Sequence, residues 1–81
     1  MINVIIKDPQ KVVFEGEVRS LTSHNRVGKF DVLTDHENFI ALIEKYVIIR
    51  PKSGQEQYIQ VDNGVIKVKG NQIKIYLGIK R

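Results

Sequence analysis

The chain has 81 residues, 42% of them hydrophobic, with no cysteine and a net charge of +4. That is room for one domain around one modest core, and it is too apolar for a disordered chain. The lack of cysteine excludes disulfide and thiolate chemistry and fits a reducing compartment. No apolar run approaches the roughly 20 residues of a membrane-spanning helix. The opening Met1-Ile2-Asn3-Val4-Ile5-Ile6-Lys7 has no basic leader and no small-residue cleavage site, so no signal peptide is expected.

Period-two alternation of β-branched residues dominates the chain, which is the mark of half-buried strands. A first strand is predicted over about Ile2 to Lys7, then a turn at Asp8-Pro9-Gln10 and a strand over about Lys11 to Phe14. Gly16 marks a turn or bulge before Glu17 to Ser23, and His24-Asn25-Arg26 reads as a solvated hairpin tip. Gly28 to His36 forms a strand and loop, with a helical turn open to Thr34 through Asn38, capped by Thr34 or Asp35. The apolar run Phe39 to Ile43 follows. Val47 and Ile49 then point opposite to Tyr46, Ile48 and Arg50, which predicts a strand buried on both faces. Pro51-Lys52-Ser53-Gly54 closes that strand.

Ile59 and Val61 alternate with Tyr58 and Gln60, and Asp62-Asn63-Gly64 then carries the strongest hairpin signal, because Asn-Gly tolerates the positive φ of a type I′ turn. Ile66 and Val68, a turn at Gly70-Asn71, and Ile73, Ile75, Leu77 and Ile79 complete the pattern. The expected fold is all-β: a sandwich or flattened barrel of about ten short, mostly antiparallel strands, in one domain over residues 1–81.

The charge is uneven. From Asn63 onward there are Lys67, Lys69, Lys74, Lys80 and Arg81 and no acid. One reading is an anionic partner such as single-stranded nucleic acid or lipid headgroups. The other is solvated lysines that discourage edge-to-edge aggregation. Stacking aromatics are scarce, with Tyr46, Tyr58 and Tyr76 the ones on strands.

The residue with most scope for chemistry is His36. It reads as a contact or loop-shaping residue, as a plain surface histidine, or as a base or ligand oriented by Asp31, Asp35 or Glu37. No nucleophile motif stands beside it, its spacing from His24 matches no metal-ligand pattern, and there is no glycine-rich phosphate loop. No catalytic residue, metal or cofactor is therefore assigned. Phe30 and Leu33 are expected to anchor the loop to the core, with a bend between Val32 and His36. Lys29, Asp31, Asp35, His36 and Glu37 would then form a mixed-charge tip suited to a polar partner loop. Phe39, Ile40, Leu42 and Ile43 are either an exposed apolar patch or core.

Six segments, in order, resemble one family. Val13-Phe14-Glu15-Gly16-Glu17-Val18 is similar to the "hF-x-G-x-V" motif, with h apolar, of the epsilon subunit of F-type ATP synthases. Gly28-Lys29-Phe30-Asp31-Val32-Leu33-Thr34-Asp35-His36 resembles its "G-x-F-G-I-L-P-G-H" loop. Phe39 to Ile43 sits at its apolar segment, and Tyr46-Val47-Ile48-Ile49-Arg50 at its "G-V-V-R-I"-like strand. Asn63 to Val68 and Asn71 to Leu77 resemble its "G-G-F-V-E-V" and "N-x-V-T-V-L" strands.

The resemblance implies a β-sandwich that packs on the gamma subunit and on the polar loops of the membrane rotor ring. It implies a non-catalytic central-stalk subunit of a proton-translocating synthase, peripheral to the cytoplasmic face of the cell membrane. Lys29, Asp31, His36, Phe39 and Leu42 are the implied partner-binding residues. The family's carboxy-terminal helical hairpin is expected to be absent, since the chain stops at Arg81. Lys29 stands where the family commonly has an acid, Asp31 where it has glycine, and Thr34-Asp35 where it has Pro-Gly. These replacements imply a more charged and less rigid loop.

Overall fold

The structure is a computed structural model and describes residues 1–34 and 37–78. It has six strands: β1 (Ile2–Lys7), β2 (Val12–His24), β3 (Lys29–Val32), β4 (Phe39–Pro51), β5 (Gln57–Lys69) and β6 (Gln72–Leu77). The sheet order is β1-β6-β5-β4-β2-β3, and β1 also pairs with β2. Five strands therefore close into a barrel, which leaves them no open seam, and β3 is added outside on β2. All pairings are antiparallel except β1 with β6.

The expected count of about ten strands is corrected to six, and the reason is physical. β2, β4 and β5 have 13 residues each, and each serves both sides of the flattened barrel. The first half of β2 pairs with β1, while its second half lies between β3 and β4. β5 pairs with β4 along its whole length but with β6 only from Gly64 to Lys69. A long strand can wrap this way only if its inward face changes, and bulges do that. In β2 the register shifts between Val18 and Ser20, and the buried positions pass from Val18 to Leu21 and Ser23. In β5 two residues, Asp62 and Asn63, stand against Glu44 alone, and the buried positions pass from Val61 to Gly64, Ile66 and Val68.

Asp62-Asn63-Gly64 is thus a bulge within β5 and not a hairpin. Neither Asn63 nor Gly64 has the positive φ that a type I′ turn requires. Gly16 likewise lies within β2, opposite Val4, with the Phe14 ring packed over it. Elsewhere the turn signals fall where expected. Asp8 Oδ1 accepts from the backbone N–H of Gln10 and Lys11, both at 2.8 Å, and closes the β1–β2 turn. Asn25 Oδ1 accepts from Val27 and Gly28 N–H in the β2–β3 turn. Gly70, at φ 58°, turns β5 into β6.

The core lies between the two walls and is aliphatic, with Ile6, Leu21, Ile49, Ile66 and Ile75 fully buried. Val47 and Ile49 are also fully buried, while Tyr46, Ile48 and Arg50 on the opposite side of β4 are half-buried. No helix is present among the described residues, so none there is long and apolar enough to cross a membrane.

Candidate protein-interaction surface

Lys29 and Asp31 sit on the outward side of β3, opposite His24 and Thr22 of β2. Both are exposed. Asp31 is held in place. Thr22 Oγ1 donates to Asp31 Oδ1, and the same hydroxyl accepts from Arg50 Nη1 at 2.8 Å. Arg50 also donates to Ser20 Oγ at 3.2 Å and from Nε to Glu56 Oε2 at 3.1 Å. A chain of polar contacts therefore crosses three strands on one outward face. Beside it, the Tyr46 and Tyr58 rings stack at 5.8 Å, and His24 meets Tyr46 edge-on at 5.9 Å. His24 Nδ1 is 3.7 Å from Glu44 Oε2.

Thr22 and Arg50 were not singled out by the sequence pattern. Their link joins residues 28 apart in the chain and exists only once β2 and β4 are in register. The one local hint was an arginine directly after the aliphatic run Val47 to Ile49.

Between β3 and β4 the described residues Leu33, Thr34, Glu37 and Asn38 are all exposed. The expectation that Leu33 anchors this loop is corrected: it is 57% exposed, and Val32 at 1% is the anchor. β3 ends at Val32, and its alternation carries Phe30 and Val32 inward and Asp31 and Leu33 out. Phe30 does pack against the core, edge-on to Phe39 at 6.0 Å. Asp35 and His36 lie outside the described residues, and so do Ile79, Lys80 and Arg81 at the chain end. The helical turn through 34–38 and every role assigned to His36 therefore fall on undescribed ground. Among the described residues no three metal-ligating side chains come together.

The run 39–43 divides by alternation. Phe39, Ala41 and Ile43 pack on the core, whereas Ile40 and Leu42 point outward, 68% and 64% exposed. Of the implied contact residues, Lys29 and Asp31 therefore share one outward face, Leu42 lies on the other, and Phe39 points inward. Asn38 Oδ1 accepts from Gly70 N–H at 2.8 Å, which ties the start of β4 to the β5–β6 turn.

This is a small β domain whose distinctive side chains form outward surfaces on a rigid closed sheet. The family model described as ATP synthase, Delta/Epsilon chain, beta-sandwich domain matches residues 1–77, and the chain belongs to that family. The ATP synthase epsilon chain of Clostridium perfringens is 28% identical over 71 residues, covering 86% of this chain and 53% of its own length. The chain thus spans about half the length of that relative. Among solved structures, a chain of the Euglena gracilis mitochondrial ATP synthase superposes with a TM-score of 0.85 at 16% identity, over 94% of this chain and 49% of that one. A chain of the Tetrahymena thermophila mitochondrial ATP synthase central stalk and c-ring gives 0.80 at 15% identity, over 96% and 63%. These two likenesses concern the fold.

Proposed function

We propose that residues 1–81 act as the β domain of an ATP synthase epsilon subunit, a non-catalytic part of the central stalk that couples the gamma subunit to the membrane rotor ring. The observation that carries this reading is the extent of the family match. Residues 1–77 contain every strand of the closed barrel, together with the β3–β4 segment and the outward pair Ile40 and Leu42. A coupling part needs a stiff body with exposed contact surfaces, and a closed ring of long bulged strands is such a body. In this reading Ile40 and Leu42 give the apolar contact, with Lys29, Asp31 and the β3–β4 loop at a polar one. The protein would then sit at the cytoplasmic face of the membrane through its partners.

The test is co-expression with the cognate gamma subunit and co-purification. A stable complex is expected, and Leu42→Asp should break it while leaving the fold intact, because the side chain points to solvent. Failure of the unaltered pair to associate at micromolar concentration would sink the reading.

A further inference from the structure

The second outward face, built by β1, β6, the second half of β5 and the first half of β4, carries an arrangement that the coupling role does not require. Lys67 of β5 stands directly opposite Lys74 of β6. Directly opposed side chains have Cβ atoms about 4.5–5.5 Å apart, and like charges so placed are destabilising. Lys69 lies two residues along on the same face, and all three are exposed. Among the described residues none of the three has an ion-pair partner.

Next to them lies an apolar strip. Ile40 is opposite Lys67, and Leu42 is opposite Val65, which is opposite Tyr76. The lysines and Asn38, Gly70 and Gln72 line a shallow groove of about 610 Å³. The hydrogen bond from Gly70 N–H to Asn38 Oδ1 holds one end of that groove closed.

We propose that this face docks an acidic amphipathic helix of a partner protein, with the helix's apolar stripe on Ile40, Leu42 and Val65 and its carboxylates on Lys67, Lys69 and Lys74. The dimensions agree. Neighbouring strands are about 4.8 Å apart, so Ile40 on β4 and Lys74 on β6 are separated by about 10 Å, close to the width of a helix. Charge complementarity selects an anion, since one carboxylate between Lys67 and Lys74 converts a repulsive pair into two attractive ones.

The apolar strip selects a protein over the other anionic partners. Lys7 of β1, opposite Tyr76, brings the lysines of this face to four, the low end of the clusters that mark anionic-lipid binding. It is therefore the apolar strip beside them that favours a protein, and anionic vesicles form an arm of the test. Tyr76 is the lone aromatic on this face, too few for a base-stacking platform. Ile40 and Leu42 are also the apolar contact of the stalk reading, so the peptide is tested on the isolated chain, where binding that depends on Lys67 and Lys74 stands or falls whether or not the gamma subunit co-purifies.

The probe is a labelled helical peptide of about three heptads with leucine at a and d and glutamate at e and g, followed by fluorescence anisotropy at low salt. The intact chain should bind it, and a peptide with glutamine for glutamate should bind at least about tenfold more weakly. Lys67→Glu with Lys74→Glu should also weaken binding about tenfold or more. Lys11→Glu with Lys52→Glu, which changes net charge equally at exposed turn sites away from this groove, should stay within about twofold.

Lys67→Glu alone separates docking from folding. It creates an opposite-charge pair with Lys74, so the melting temperature should rise while peptide binding falls. The proposal is overturned if the double reversal at positions 67 and 74 leaves peptide binding intact. It is equally overturned if phosphatidylserine–phosphatidylcholine vesicles or oligo-dT, and not the peptide, show the dependence on Lys67 and Lys74.

Discussion

Gly64→Ala gives the sharpest test of the bulge that lets β5 serve both walls. A Cβ at this position would lie 2.8 Å from the Tyr76 carbonyl oxygen and 3.3 Å from both Ile43 Cγ1 and Leu77 Cδ2. The side-chain carbons can give by a few tenths of an ångström. The carbonyl cannot, because it belongs to β6 where β6 is laddered to β5 at Val65 and Gly64. Overpacking of this kind costs about 1–3 kcal/mol. Replacing glycine also stiffens the unfolded chain, a gain of about 0.4–1 kcal/mol. The net is a loss of about 1–2 kcal/mol, and in a domain of this size each kcal/mol moves the midpoint by about 4–8 °C. Thermal melts followed by circular dichroism should therefore show Gly64→Ala lower by about 5–15 °C. Gly16→Ala is the matched control, since its added Cβ meets only the Phe14 ring at 3.5 Å, an ordinary contact. With no clash to offset the unfolded-state gain, it should match the parent or exceed it by up to about 1 kcal/mol. If Gly64→Ala melts at or above the parent temperature, the close approach of β5 to β6 is not what requires glycine there.

The loop anchor is tested by a neighbouring pair: Val32→Ala should cost about 1.5–3 kcal/mol in urea unfolding, whereas Leu33→Ala, at 57% exposure, should cost less than about 0.5 kcal/mol. The β1–β2 turn carries a pH signature. Backbone N–H donation from Gln10, then from Lys11, holds the Asp8 carboxyl below its ordinary value near 3.8. A carboxylate whose folded pKa is depressed adds stability that is fully present above the unfolded value and lost as pH falls through the folded one. Asp8→Asn should therefore flatten the acid limb of the stability–pH curve below about pH 4, with little change in its slope near neutrality.

The sequence carried the fold class because alternation is a local signal. Ile73 and Ile75 inward against Lys74 outward needs only the spacing of neighbouring residues. The turns at Asp8, Asn25 and Gly70 were legible for the same reason, each being closed by a side chain or φ angle within three residues. Strand number was not legible. A bulge reverses the alternation as a turn does, and at Asp62-Asn63-Gly64 the residues suited to a hairpin are those suited to a bulge. What separates the two is whether the next segment folds back on the last or continues along β4. That depends on Phe39 through Ile43 offering a partner to Gly64 through Val68, a contact more than 20 residues away. The same limit applied to the surface. Alternation divides Phe39 and Ile43 from Ile40 and Leu42, but it does not say which pair faces the core until the opposite wall is built.

The two outward faces differ in how far their charges are already neutralised, and this decides where a charged partner gains most. On the β2–β3–β4 face Arg50 donates to Thr22, Ser20 and Glu56, Asp31 accepts from Thr22, and Glu44 sits by His24. A partner docking there must compete with bonds the fold has made, so its net electrostatic return is small. On the other face Lys67 and Lys74 oppose each other, with Ile40 and Leu42 beside them in water. An acidic partner there relieves a repulsion and buries apolar surface in one step. Affinity should therefore concentrate on the lysine face, with the Arg50 network setting the shape of the first. The two contributions separate experimentally by salt, because exposed lysines pairing with carboxylates are screened over about 10 Å at 0.1 M ionic strength, while the apolar contact of Ile40 and Leu42 is not.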